Sequence, residues 1–184
     1  MTNRKKSPPR KSKPRSYCFI VEGCTEYNYI QCLKKFYKSQ KAIETKKGTG
    51  GGAKAVLCKA NKLIGKYKED YLGFVIWFDK DTCSSDRKEV EIKQTLKKQE
   101  NVDIFTSDPC VEHWLLAHFQ EINLDENQKC DHYENKLKDH IKNYEKNNCR
   151  QLEKYLDPAK INIAIHNYPE IGAFCQKYFL DLIC

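Results

Sequence analysis

No apolar run in this 184-residue chain approaches the roughly 20 residues of a membrane span, so no transmembrane segment is expected. No opening stretch reads as a signal peptide, and no internal repeat is apparent. None of the ten cysteines stands in a Cys-x-x-Cys pair. Cys18, Cys24, Cys32 and Cys58 are scattered through strand-like and helix-like segments, which implies reduced, mostly buried thiols in a cytoplasmic protein. Zinc ligation finds little support either. Cys110 with His113 and Cys130 with His132 each lack a second ligand pair at zinc spacing. Acids are missing from the first 15 residues, where Arg4, Lys5, Lys6, Arg10, Lys11, Lys13 and Arg15 stand unopposed. Seven of the 33 basic residues therefore sit in that leader, and the other 26 face 25 acids, so the body is close to neutral. With Pro8, Pro9 and Pro14 the leader cannot form a helix and has little apolar surface to bury. It reads as a disordered arm, either solubilising or drawn to phosphates.

What is present is organised around Tyr71–Thr82. An apolar segment rich in aromatic and β-branched residues ends in Asp79, Lys80 and Asp81, and reads as a buried strand. If the chain stays extended there, Asp79 and Asp81 project to the same side and reach one point. Paired carboxylates repel unless a cation such as Mg²⁺ or Mn²⁺ lies between them, although a solvated loop or a helix cap would also use acids here. Ser16–Val21 is a second strand candidate ending in Glu22 and Gly23, with a helix expected from near Thr25 and Glu26. A weaker strand at 42–45, a glycine loop at 48–52 and a helix carrying Ala55, Val56, Ala60, Leu63 and Ile64 come next. A charged helix over 86–99, a strand over 102–106 and an apolar helix over 110–119 follow the central strand. Helix candidates lie at 131–146, and one or two packed helices at 158–182. The alternation predicts an α/β fold with a mainly parallel central sheet flanked by helices and a helical C-terminal extension. The boundaries expected are 1–15 for the arm, 16–120 for the α/β core and 121–184 for the helical part.

Three strand-like segments end at acids: Glu22 after the first, Asp79 and Asp81 after the central one, Asp108 and Glu112 after the last. In a parallel sheet these ends share one edge, and Glu26 in the first turn of its helix faces the same way. Such a cluster fits two divalent cations of the kind used in phosphodiester cleavage. Helix N-terminus preferences alone would account for Glu26 and Glu112 but not for Glu22 together with the Asp pair.

Ile20 to Tyr29 with its Glu22-Gly23-x-Thr25-Glu26 core, the glycine loop, Phe78 to Asp81 and Ser107 to Phe119 together resemble the RloB family. Tyr144 to Asn147 and Ala164 to Asn167 are similar to that family's weaker motifs, so the likeness runs from about residue 15 to 170. The resemblance implies a Toprim-like fold. It makes Glu22 a general acid/base or metal ligand, gives Asp79 and Asp81 to Mg²⁺ or Mn²⁺, and uses Glu26 and Glu112 for a second ion. It also implies a nuclease effector of anti-phage defence, of the abortive-infection kind, working with an ABC-type ATPase. The family commonly has Asn where this chain has Asp108, so that residue and Ser107 are secondary candidates.

Gly50, Gly51 and Gly52 with Lys54 are candidate phosphate contacts before a helix, although the spacing is not that of a P-loop. Lys80 is another candidate for a substrate phosphate. Phe78 to Thr82 also resembles the first motif of haloacid-dehalogenase phosphatases, but no later acidic pair follows and Glu22 would be idle. Trp77 and Trp114 read as core anchors and His118 as packed, with His113 beside Glu112 a possible proton donor. A metal-dependent nuclease acting on RNA or DNA is the expected function, and a non-catalytic Toprim-fold docking or nucleic-acid-binding subunit is the alternative.

Overall fold

A computed structural model describes residues 16–38, 43–48, 50–123, 128–146 and 148–179. The basic leader, Ala42, Thr49, Asn147 and the last five residues, all invoked above, lie outside the described residues. The chain runs β1 (Ser16–Val21), α1 (Cys24–Tyr37), β2 (Ile43–Lys47), α2 (Gly52–Tyr67), β3 (Tyr71–Asp79), α3 (Arg87–Lys97) and β4 (Val102–Ser107). It continues with α4 (Val111–Leu116), α5 (Cys130–His140), α6 (Pro158–Asn167) and α7 (Pro169–Tyr178). The sheet is parallel throughout, in the order β2-β1-β3-β4. This is the α/β, Toprim-like architecture that the alternation and the family likeness imply.

Alternation along the strands divides the core into two layers. Cys18, Ile20, Phe74, Ile76 and Phe78 pack against Ala53, Val56, Leu57, Ala60 and Ile64 of α2 and Leu96 of α3. Phe19, Val21, Val75 and Trp77 face the other way, onto α1, α4 and the C-terminal helices. Both faces are covered, which is why β1 and β3 read as nearly unbroken apolar runs. The second layer is aromatic. Trp77 meets Tyr29 at 5.8 Å, Trp114 at 5.4 Å and Phe174 at 5.3 Å between ring centroids.

The strand order reverses between β1 and β3, and open parallel sheets bind ligands in the crevice beyond such a switch point. Register levels the strand ends there. Val21 lies beside Trp77, and Asp79 beside Ser107. The Glu22 N–H continues the ladder by donating to the Trp77 carbonyl at 3.1 Å.

Several boundaries differ from the expected ones. The apolar helix shortens to Val111–Leu116, and the Asn167 side chain takes up the freed Ala117 and Gln120 carbonyls, each at 3.0 Å. The helix expected to reach 146 stops at His140. Beyond it a non-helical strap turns at Asn143, whose φ is 55°, and the Gln151 side chain binds the Lys142 and Asn143 carbonyls and the Glu145 N–H. The final helical segment divides at Tyr168, held extended before the ring of Pro169. The cysteine expectation also needs correction. Cys24 and Cys149, 125 residues apart, form a disulfide, while Cys18, Cys32, Cys58, Cys83, Cys110, Cys130 and Cys175 are free. Spacing could not reveal this bond, because the strap alone brings Cys149 to the start of α1.

Ser107, a candidate site residue by sequence, is fully buried and accepts a hydrogen bond from the Trp77 indole N–H at 2.7 Å. Its role here is structural. Ser107→Ala would orphan that N–H and cost about 1–3 kcal/mol. The expected fall in Tm is about 2–4 °C per kcal/mol, readable by thermal unfolding; an unchanged Tm would refute the role.

Candidate metal centre

Glu22 follows β1 directly, and its Oε2 accepts hydrogen bonds from the Asp79 N–H at 3.3 Å and the Thr82 hydroxyl at 3.1 Å. Thr82 also lies 2.9 Å from the Asp79 carbonyl, and its oxygen accepts from the Ala53 N–H at 3.1 Å. The turn after β3 is thereby tied to both Glu22 and the start of α2. Asp79 is buried with Oδ1 on the Val111 N–H at 2.8 Å, so the first turn of α4 receives the carboxylate. Glu26 folds back from the first turn of α1 onto the Gly23 N–H at 3.1 Å.

Glu112 is completely buried. Its Oε1 accepts the Tyr144 hydroxyl at 2.9 Å. Its Oε2 has no aligned hydrogen bond and meets only the Lys146 ammonium, an ion pair at 3.3 Å. Thr25 completes this corner, 3.0 Å from the Tyr144 hydroxyl and 3.2 Å from the Lys146 carbonyl.

Asp81 reaches the site by a different route from the one the alternation predicts. The strand ends at Asp79, and Asp81 lies in a 3₁₀ turn, Lys80–Thr82. Its N–H donates to the Pro109 carbonyl at 3.1 Å, and its exposed carboxylate accepts from the Cys130 thiol at 2.9 Å.

The electrostatics show these groups acting on one another. Burial pushes Asp79 up to about 9, and the charges of Glu26, Glu112, Glu22 and Asp81 add to the effect. Burial likewise raises Glu26 to about 7, with Glu22 and Glu112 contributing repulsion. Glu22 is raised by burial, partly offset by its bonds from Asp79 and Thr82. Five carboxylates from three strand ends therefore share one crevice, with the Lys146 ammonium beside Glu112.

Among the described residues no three His, Cys, Asp or Glu side chains are already set in metal-holding geometry. The acids are instead turned onto protein donors. The donor set nonetheless fits a hard cation. All of its atoms are carboxylate oxygens, one buried oxygen of Glu112 lacks a hydrogen bond, and the raised acids want positive charge.

The other candidates lie around this centre. Gly50, Gly51 and Gly52 have φ of 84°, 99° and 68°, a left-handed run that non-glycine residues adopt at a cost. Gly52 also abuts Thr82, where a Cβ would come within 3.2 Å of the threonine. Lys54 pairs with Asp86 at 3.2 Å, and Lys80 with Asp108 at 2.6 Å, so neither is a spare cation. His118 is packed against Tyr29, its Nε2 3.1 Å from the hydroxyl, and burial lowers it to about 4. His113 packs against Tyr133 with ring centroids 4.5 Å apart, and its Nδ1 lies 2.9 Å from the Asp108 carbonyl rather than at the acids. Sequence reasoning assigned no role to Thr25, Thr82, Tyr144, Lys146 or Cys130. Tyr144 and Lys146 stood inside a family-like motif, the one signal that could have found them.

A folded-state pKa above the unfolded value makes an acid stabilise the fold while protonated, and that contribution fades as pH rises toward the folded pKa. In the presence of a chelator, the Tm should therefore fall between about pH 5 and 9 on account of Asp79 and Glu26. Asp79→Asn should flatten the decline, and Mn²⁺ should raise Tm more at pH 8.5 than at pH 6. Equal slopes for both proteins in a pH series of thermal melts would refute the cluster's electrostatics.

Neither a curated protein nor a solved structure matches this sequence. A family model described as RloB-like protein matches residues 17–176, which include every acid of the cluster as well as Tyr144 and Lys146. The chain belongs to the RloB-like family.

Proposed function

We propose that this chain is a Mg²⁺- or Mn²⁺-dependent nuclease, hydrolysing phosphodiester bonds of RNA or DNA as the effector of an anti-phage system with an ABC-type ATPase. The observation that carries the reading is the meeting of Glu22, Glu26, Asp79, Asp81 and Glu112 at the crevice between β1 and β3. Structural acids rarely gather where their charges oppose one another, whereas functional sites do so by construction.

Asp79, Glu26 and Glu112 would hold the cation, with Glu22 and Asp81 at its margin. A divalent ion there supplies a reactive water at neutral pH and positive charge for the leaving oxygen. Glu22, raised by burial, holds a proton more readily than a free glutamate and would hand it on. Thr82 and the Asp79 N–H orient its carboxyl. Lys146 keeps Glu112 in place and adds a cation beside the phosphates. The Gly50–Gly52 run opens α2 next to Thr82 and gives the backbone close access to a substrate phosphate.

One observation favours a second reading, a non-catalytic subunit that docks the ATPase or holds nucleic acid. Glu22, Glu26, Asp79 and Asp81 each have a protein donor and Glu112 has Lys146, so a protonated cluster is satisfied without added cation. The phosphatase reading leaves Glu22 and Glu26 without work.

Purified protein, alone and with its ATPase, should cleave total RNA or plasmid DNA in Mg²⁺ or Mn²⁺ and stop on chelation. Asp79→Ala should lower the rate on the order of 100-fold or more. Cleavage that survives in Asp79→Ala would exclude the nuclease reading, and intact defence in that variant would support docking.

A further inference from the structure

We infer that the Cys24–Cys149 pair is a reversible thiol–disulfide exchange site, entered from one side and coupled to the carboxylate cluster. Cys24 is the first residue of α1 and is buried, lying between Gly23 and Thr25 of the acid motif. Cys149 is only partly buried and lines a cleft of about 520 Å³ with Tyr27, Gln31, Lys35, Arg150 and Glu153. That cleft is wide enough for a small thiol or disulfide, and it exposes one of the two sulfurs. Lys47, at the end of β2, sets its ammonium 3.1 Å from the Cys24 sulfur and 3.5 Å from the Cys149 sulfur. An electropositive, partly exposed setting of this kind marks reactive cysteines, whereas Cys18, Cys32, Cys110 and Cys175 are fully buried.

The step is an exchange with a low-molecular-weight thiol. Its thiolate attacks the Cys149 sulfur through the cleft and forms a new S–S bond there, while the Cys24–Cys149 bond breaks. The Cys24 sulfur leaves with the bonding electron pair, beside the Lys47 ammonium. A second thiolate attacks the outer sulfur of the mixed disulfide and releases Cys149. Two small thiols become one small disulfide, their two protons pass to the two cysteines, and the protein has gained two electrons. A small disulfide drives the reverse reaction.

The consequence reaches the acids through the strap. Thr25, next to Cys24, holds Tyr144 and the Lys146 carbonyl, and these residues hold Glu112. Closing the disulfide fastens the far end of that strap to α1 and keeps the Lys146 ammonium at the Glu112 carboxylate, in competition with any cation. Reduction releases this tie, so the reduced protein should bind a divalent cation more tightly. This last consequence rests on the metal-site reading, whereas the exchange chemistry does not.

In the full-length protein, exchange of the free Cys149 thiol of a Cys24→Ser variant with oxidised glutathione, which releases one glutathione thiol, followed by alkylation and peptide mass analysis should show the mixed disulfide on Cys149. Lys47→Gln should slow opening of the disulfide in the otherwise wild-type chain by fivefold or more, and Lys47→Arg should restore it. An unchanged rate in Lys47→Gln, or a Cys149 thiol in Cys24→Ser no more reactive than the other free cysteines, would overturn the exchange site. Titration with Mn²⁺ should show at least threefold tighter binding to the reduced protein, with no redox dependence in Cys149→Ser. Equal affinities in both states would overturn the coupling. Absence of Mn²⁺ binding in either state would instead count against the metal site, leaving the thiol measurements to stand alone.

Discussion

Repulsion among carboxylates that the fold will not let apart is the constraint on which this structure turns. The parallel ladder sets Val21 beside Trp77 and Asp79 beside Ser107, so the residues that leave the strands emerge at one level. Packing above the sheet then buries Asp79, Glu26 and Glu112. Removing ionised carboxylates from water is costly unless they are paired or neutralised. The chain answers with single donors: the Val111 N–H for Asp79, the Gly23 N–H for Glu26, the Tyr144 hydroxyl and Lys146 for Glu112. These contacts position the acids without cancelling their charge, which leaves Asp79 and Glu26 raised.

Rigidity below the site makes that tolerable. Trp77 is held by Ser107 and ringed by Tyr29, Trp114 and Phe174, directly beneath the acid-bearing ends of β1, β3 and α4. Acids mounted on loops could swing apart to relieve their repulsion. Asp79 at the end of β3 and Glu26 and Glu112 in the first turns of two packed helices cannot, so their repulsion must be relieved by protonation or by positive charge. Placement on rigid elements is also what a site needs if it is to hold reacting groups steady.

Much of this was legible in the residues. Ser16–Val21 and Tyr71–Asp79 announce buried parallel strands because both faces are apolar, and acids at their ends stand out against those runs. Glu22 and Asp79 could thus be placed at one edge from sequence alone. Asp81 was placed at the right edge for the wrong reason, since periodicity assumes an extended chain and does not see the 3₁₀ turn that the Thr82 bonds stabilise. The strap is where local reading fails most plainly. Residues 141–146 have enough helix-favouring character to extend α5, yet Gln151 satisfies their backbone from outside and Asn143 adopts a left-handed turn. A contact made from several residues further along the chain leaves no periodic signature. The Cys24–Cys149 bond was invisible for the same reason, being a product of the strap.

The strap also changes how the acid cluster should be understood. Glu112 is the most deeply buried acid of the cluster, and its two oxygens meet Tyr144 and Lys146 of the strap. Burial lowers Lys146, and the charge of Glu112 beside it leads the interactions that more than offset that effect. Lys146 therefore belongs to the site electrostatically although it comes from outside the α/β core, and it supplies the positive charge that the core acids lack. A cation entering the crevice would meet the Lys146 ammonium at the same Glu112 oxygen, so under the proposed function the position of Lys146 and occupation of the crevice would be linked by charge balance.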